Sequence, residues 1–504
     1  MEAAPRGRRR VGVIDIGSNS VRFVLYHIFG SAFFPTYNEK VLAGLGRDLR
    51  ETGRLSETGK TDTLRALHRF RHLVQARGLE TVLIAATAAM RDAEDAGEFR
   101  DQVLHETGFD IAPIAGTEEA RLAASGVLAG DRRARGLACD LGGASLEVIE
   151  LTPELDGRGV SLPLGPFPVV GDDLRLDFDP DAQRPVVEAA LADVPLEVGG
   201  EPLHLVGGAW RNLLAVHLQM TDYPLHVLQG YGLPSETALE FCRWAYGEGR
   251  EAVLDWPGIS ERRRETLPYG ALALECAIRR FAPAEIRVSS TGLREGLVAD
   301  YLRELRRKRS PLVDGCRDLA RGNLQAEGFA IPLERFLAPI DAHLPAAFAA
   351  DNEARLRQAA RHLAGMGRGL HPDYRAELVF ENVITAPLSG LEHAERAYLA
   401  HIMHNCYTQR METANEPAME RLLTPQQRRC AQGYGMAIRL AVAASGRTPE
   451  LLDRLHLSWD GEVDMRADVG FDSLVGARAS HRLIKLNKVL ADLPDAPDSE
   501  DEGD

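Results

Sequence analysis

Residues 11–26 read VGVIDIGSNSVRFVLY, and residues 136–151 read GLACDLGGASLEVIEL. In each stretch two apolar runs flank a short polar insert that opens on an aspartate. At a constant offset of 125 residues VIDIGSNSVRFVL lies over ACDLGGASLEVIE, so that Asp15 matches Asp140, Gly17 matches Gly142 and Ser20 matches Ser145. Such self-similarity predicts two related halves, each opening on a β-hairpin. Small residues at the bend let successive backbone N–H groups approach an anion, as phosphate-cradling loops do. An aspartate ending the first strand suits a divalent metal or an ordered water beside that phosphate. Gly, Asn and Ser are also the residues of ordinary polar turns; the same acid recurring in register favours the binding reading.

The bulk properties set bounds. A chain of 504 residues with 45% hydrophobic and 26% charged residues has the composition of a globular protein of about three domains. A net charge of −15 argues against a broad nucleic-acid-binding face, so a polyanionic ligand needs locally clustered arginines. Six cysteines without CxxC spacing fit reduced thiols. The apolar stretch behind the basic start MEAAPRGRRR is cut at Asp15, and no run approaches the ~18 residues of a membrane span. The expectation is a cytoplasmic protein that binds neither DNA nor membrane.

Along the chain, 11–16 and 21–28 read as strands, 60–77 as a helix and 80–86 as a buried strand. Thr87 is placed to cap a helix starting near Ala88, with Arg91 one turn in. A short strand at 110–114 leads into GTEEARLAASGVLAG, a helix with two acids in its first turn. Strands at 203–206 and in 285–305 complete an alternating α/β pattern. RRKRSP (306–311) reads as a linker, 312–490 as almost wholly helical, and the acidic end as disordered. GRLSETGKT (53–61) is similar to a phosphate-binding P-loop, but five residues separate its glycines where that motif has four. It reads as a loop into a helix.

DIGSNS, ATAAMRDA (86–93), GTEEARLAASGV (116–127), DLGGASLE (140–147), SLPLG (161–165), VGGAWRNL (206–213) and STGLREG (290–296) follow the motif order of one family. Over residues 11–305 the chain resembles the exopolyphosphatase/guanosine pentaphosphate phosphohydrolase (Ppx/GppA) family. That resemblance implies an α/β fold of two ribonuclease-H-like lobes of the actin-like ATPase superfamily, followed by an all-helical domain similar to HD phosphohydrolases. The domains are then a basic disordered tail (1–10), a first lobe (11–130 with 290–308), a second lobe (131–289), the helical domain (310–490) and an acidic tail (491–504).

The resemblance also implies roles. Glu119 is the general base, whereas the residues alone fit equally a first-turn acid that complements the helix dipole; that part falls to Glu118. Asp140 and Glu147 are the Mg2+ ligands, with Asp15 lining the first hairpin and K+ left open. Glu147 is out of phase with Leu146 and Val148, so its side chain faces the cleft or solvent. Arg91 holds substrate phosphate, for which a guanidinium fork is better shaped than an ammonium. Gly17, Ser18, Asn19, Ser20, Gly142, Gly143 and Ser145 cradle phosphate, and Gly207 and Gly208 support its path or make a tight strand–helix connection.

Two departures stand out. Ala144 replaces the third glycine usual in the second hairpin, where its methyl group would crowd a phosphate. The helical domain has no His-Asp dipeptide, the metal pair of HD hydrolases, although HIMHNC (401–406) clusters two histidines. It is expected to bind or dimerise rather than catalyse, giving a homodimer. The expected activity is removal of terminal phosphate from inorganic polyphosphate, of the 5′ γ-phosphate from pppGpp, or both, with a further run of arginines at Arg262, Arg263 and Arg264 along a long substrate. A non-catalytic polyphosphate or pppGpp sensor and a small-molecule kinase of the same superfamily are the alternatives.

Overall fold

Both halves of the repeat fold as hairpins at the head of a sheet. In a computed structural model, which describes residues 9–155, 157–171, 173–321, 328–413 and 415–493, the strands of the first unit run in chain order as follows. They are β1 (Arg9–Ile16), β2 (Val21–Phe29), β3 (Ala32–Val41), β4 (Val82–Ala86), β5 (Leu137–Leu141), β6 (Leu146–Glu150), β7 (Gly159–Leu162), β8 (Leu203–Val206), β9 (Gly232–Pro234) and β10 (Glu285–Val288). The first sheet has the order β3-β2-β1-β4 and the second β7-β6-β5-β8-β10-β9. In both, the hairpin strands are antiparallel and the next neighbour, β4 or β8, joins the first hairpin strand in parallel. The offset of 125 residues is therefore also a topological equivalence.

Side-chain alternation explains where the acids point. Along β1, Ile14 and Ile16 enter the core of Phe23, Phe70 and Phe99, while Val11 and Val13 pack on Val298 of the helix Leu293–Tyr301. Asp15 shares the second face and so meets that helix. Along β5, Leu137, Cys139 and Leu141 enter the core of Trp210 and Tyr269, while Ala138 packs on Ala120 and Ala124 of the helix Gly116–Gly130. Asp140 shares Ala138's face. On β6, Glu147 likewise shares the face of Ile149, which packs in that same cluster.

The two helices touch backbone to backbone where they cross. A methyl group on Gly126 would sit 2.1 Å from the Gly292 carbonyl oxygen, and one on Gly296 would sit 1.9 Å from that of Leu122. Only glycine permits this approach.

Several sequence expectations are corrected. Residues 110–114 form only an isolated bridge, Ala86 with Pro113, because proline brings no N–H to a ladder. Thr87 occupies the N-cap position of the helix Ala88–Asp92, but its side chain caps nothing and turns toward the Ile16 carbonyl. Arg306 is no linker residue: the chain is helical over Arg303–Lys308, and the buried guanidinium donates to the carbonyls of Ser31 and Ala129 at 3.0 and 3.1 Å. Arg9 and Arg10 already belong to β1; the remainder of the expected basic tail (1–8), and 494–504 of the acidic one, lie outside the described residues. The P-loop lookalike leads, as expected, into the helix Glu57–Ala76.

The chain divides between Arg309 and Ser310. The second unit is built mainly of helices, with Pro425–Ser445 and His393–Asn405 central to it. It also holds one hairpin the sequence reading missed, β11 (Leu455–Trp459) with β12 (Val463–Ala467). Its signal was present: Asp460-Gly461-Glu462 between alternating apolar positions reads as a three-residue hairpin connection with glycine at the left-handed position, and Gly461 has φ 76°. Among the described residues no helix is long and apolar enough to cross a membrane, and all six cysteines are free and buried.

Candidate active site

The two bends of the repeat have the same internal hydrogen bond. The Gly17 N–H donates to the Ser20 carbonyl at 3.0 Å, and the Gly142 N–H donates to the Ser145 carbonyl at 2.9 Å. They also come together: a methyl group built on Gly143 would lie 3.8 Å from the Asn19 Cβ. The first bend is braced from behind, the Ser18 and Asn19 carbonyls accepting from Gly46 and Gly44 at 2.8 and 3.1 Å. The second is braced by the Gly165 N–H, which donates to the Ala144 carbonyl at 3.0 Å. Ala144 thus belongs to a held turn, and the SLPLG segment is what holds it.

Acids gather beside the second bend. Asp140 and Glu147 are register partners on β5 and β6, so their side chains leave the same face. Glu147 is 2% exposed, which excludes a solvated strand face; the Ser161 hydroxyl donates to its Oε1 at 2.8 Å. Burial drives the Glu147 carboxyl well above its ordinary value, and the charges of Glu119 and Asp140 push the same way, while the Ser145 and Ser161 hydroxyls pull it down. Burial raises Asp140 to about 6 against the opposing pull of Arg211 and Arg294.

Glu119 stands in the first turn of Gly116–Gly130 and faces these acids. Burial raises it to about 7, Arg91 opposes, and Asp140 and Asp15 add to the rise. The Arg91 guanidinium donates to Glu119 at 3.1 Å and to the Ile114 carbonyl at 3.3 Å. The helix start is tightly seated: a methyl group on Gly116 would stand 2.8 Å from the Ser161 Cβ and 3.9 Å from the Arg91 guanidinium carbon. Glu118 turns away to form an ion pair with Arg121 at 2.7 Å.

Asp15 accepts from Arg294 at 3.0 Å and is thereby partnered by a cation of this chain. Gly207 has φ 103°, and a methyl group there would press to 2.4 Å from the Leu141 carbonyl oxygen, so its glycine answers a packing demand at the end of β8. Gly208, by contrast, opens onto free space at the start of the helix Gly208–Met220. The structure therefore brings together Asp15, both bends, Arg91, Glu119, Asp140 and Glu147. Ser161, Arg294 and Arg211 join them without having been singled out, although all three lie inside motifs already visible in the sequence.

An α/β fold with two sheets of shared strand order, facing bends and a carboxylate cluster is an actin-like ATPase-type architecture. The profile of the Ppx/GppA phosphatase family matches residues 29–305, and that of the exopolyphosphatase C-terminal region matches 344–492. The chain belongs to the Ppx/GppA phosphatase family. It is 28% identical over 304 residues to exopolyphosphatase 1 of Mycobacterium tuberculosis, covering 57% of this chain and 87% of that protein. Among solved structures, the Aquifex aeolicus Ppx/GppA family member is similar at 24% identity and TM-score 0.52 over 60% of this chain and 100% of that one. A Cytophaga hutchinsonii exopolyphosphatase is similar at 23% identity and TM-score 0.50 over 59% and 98%. At these identities the structural likenesses speak for the fold.

Proposed function

We propose that this protein is an exopolyphosphatase: it hydrolyses the terminal phosphoanhydride of inorganic polyphosphate, within two duplicated actin-like halves. The observation that carries the reading is Glu119, a carboxylate raised to about 7 and fixed by Arg91 where two equivalent glycine-containing bends converge. A carboxyl in that range accepts a proton near neutral pH and returns it readily, the property wanted in a general base.

The cation the family implies fits these residues. Asp140 and Glu147 offer hard oxygen donors on one face, and burial holds both above their ordinary range, with the Asp140 charge adding to the rise at Glu147. Among the described residues no group of three His, Cys, Asp or Glu side chains is placed to hold a metal alone. Two carboxylates completed by water and substrate oxygens is the usual Mg2+ arrangement at phosphates. Mg2+ held there would neutralise charge on the phosphoryl group.

The chain's own groups do the rest. Backbone N–H groups of residues 18–20 and 143–145 hold phosphate oxygens in place, the Gly17 and Gly142 N–H groups being used to close the two turns. Arg91 hydrogen-bonds a substrate oxygen and keeps Glu119 oriented. Glu119 orients a water in line with the departing phosphate chain and takes its proton. Gly207 lets β8 approach β5 closely enough to keep the second bend in place. The helical unit, without a His-Asp pair, carries no chemistry in this reading.

Phosphate release from long-chain polyphosphate and from pppGpp, measured side by side with and without Mg2+, tests the proposal. Mg2+-dependent release from polyphosphate supports it. Tight binding of either compound with no release under Mg2+ would replace the hydrolase with a sensor.

A further inference from the structure

Inside the helical unit, the end of the helix His393–Asn405 buries polar groups that the chain does not satisfy. His401 and Asn405 are fully buried and His404 is 2% exposed. Among the described residues, neither ring nitrogen of His401, neither ring nitrogen of His404, nor the Asn405 Oδ1 has a hydrogen-bond partner. Buried polar atoms are nearly always paired with protein, water or an ion. Unpaired atoms on three residues of one helix end therefore require something that is not protein.

Helical spacing gathers these groups, because positions i, i+3 and i+4 share one face. The His401 and His404 rings lie nearly parallel, 16° between planes and 6.1 Å between centroids. A metal ion about 2.1 Å from one nitrogen of each ring would set the centroids roughly 5–6.5 Å apart. The walls are rigid. Phe380, on the helix Arg375–Thr385, makes a T-shaped contact with His404 at 6.2 Å. Opposite, a methyl group on Gly435 of the helix Pro425–Ser445 would lie 2.7 Å from the Asn405 Cβ. The Asn405 amide nitrogen donates to the His401 carbonyl at 3.0 Å, which leaves its oxygen as the free end. Beyond the helix the chain folds back, and the carbonyls of Ala376, Arg410 and Glu412 approach the His404 ring without accepting a hydrogen bond from it. Each neutral imidazole has one N–H and one lone pair. The lone pairs, the Asn405 oxygen and the carbonyls together outnumber the donors, and an excess of acceptors suits a cation. Arg428, whose charge reaches His401, is already paired with Glu416.

We propose that His401 and His404, with the Asn405 amide oxygen, hold a divalent transition-metal ion of the Zn2+ or Co2+ class, its remaining positions filled by a backbone carbonyl or water. Imidazole nitrogen suits such ions, whereas Mg2+ is taken by oxygen donors alone. The centre therefore differs in kind from the Asp140–Glu147 pair, and it belongs wholly to the helical unit. Buried from solvent, it is structural: it ties the end of one helix to the segment that folds back over it. The proposal holds whether or not the chain hydrolyses polyphosphate.

The test uses the full chain, produced in Zn2+-supplemented medium and freed of loosely held metal by gel filtration in excess Mg2+. Elemental mass spectrometry should find about one Zn2+ per chain, since a buried imidazole site is loaded as the chain folds. With Zn2+ at a hundredfold excess over its Kd, the thermal midpoint of the chelator-stripped parent should rise by about 5–10 °C. The double variant His401→Leu/His404→Leu should lose both the bound Zn2+ and the Zn2+-dependent rise. A folded double variant that keeps its Zn2+ overturns the site, as does a parent that retains no Zn2+ and whose midpoint ignores it, the mark of water alone at these nitrogens. Should the double variant fail to fold, X-ray absorption of the Zn2+-loaded parent decides: two imidazoles in the zinc shell uphold the site, and a shell of oxygens only overturns it.

Discussion

The Arg91 guanidinium lies 3.1 Å from the Glu119 carboxylate, so the group proposed to take a proton from water is tethered to the group proposed to hold phosphate. Burial alone would lift Glu119 further; the arginine restrains it at about 7. Binding and proton transfer are thereby coupled through one ion pair.

Glu119→Gln should lower turnover on polyphosphate by about 10²–10⁴-fold, the usual contribution of a positioned base. The substitution keeps the side-chain shape, so the thermal unfolding midpoint should hold. A loss below tenfold in a phosphate-release assay would remove Glu119 from the role.

The pH profile of kcat/KM carries a second signature. A base must be unprotonated to work, so activity should rise with pH on the acid side. Arg91 lowers the Glu119 carboxyl, and Arg91→Ala should therefore displace that acid limb to higher pH at saturating Mg2+. A limb that stays in place would mean that Glu119 is not the group being titrated.

Ser161→Ala removes a hydroxyl that donates to Glu147 at 2.8 Å and draws its carboxyl toward the ionised form. Groups that orient a metal ligand are commonly worth about 10–100-fold in metal affinity. The Mg2+ concentration giving half-maximal activity should rise by about tenfold or more, with maximal turnover largely retained. An unchanged Mg2+ titration would confine Ser161 to packing beneath Gly116.

In the helical unit, His401 is 0% exposed, both ring nitrogens lack a hydrogen-bond partner, and burial holds its imidazolium form down to about 3. A histidine with a depressed folded value favours folding above its unfolded value of about 6.5 and loses that contribution as pH falls. Stability should erode by about 1.4 kcal/mol per pH unit for this one proton between about 6.5 and the folded value. Urea unfolding of the full chain at several pH values should show a shallower acid slope for His401→Phe than for the parent.

How much of this could be read from residues alone depended on whether the signal was local. The offset of 125 residues was local and strong; it emerges as equal strand order, equal turn hydrogen bonds and facing bends. Glu147 on the cleft side followed from a period of two along one strand. The same alignment sets Arg22 over Glu147, so the change of charge between the halves is legible in the sequence. Other features were not local. That Arg306 would be buried under Ser31 and Ala129 depends on elements far apart in sequence, and a run of basic residues gives no hint of it. Pro113 shows the opposite case, where a local rule against ladder formation was present and outweighed by an apolar run.

Glu119 and Arg294 ride on separate helices that touch backbone to backbone at Gly126 and Gly296. At that crossing the backbones leave no room for a side chain, so Glu119 and Arg294 are mounted on a single strut. Whatever adjustment substrate provokes in the bends, the distance from proton acceptor to first arginine behaves as a fixed gauge, and even one added methyl at the crossing would reset it.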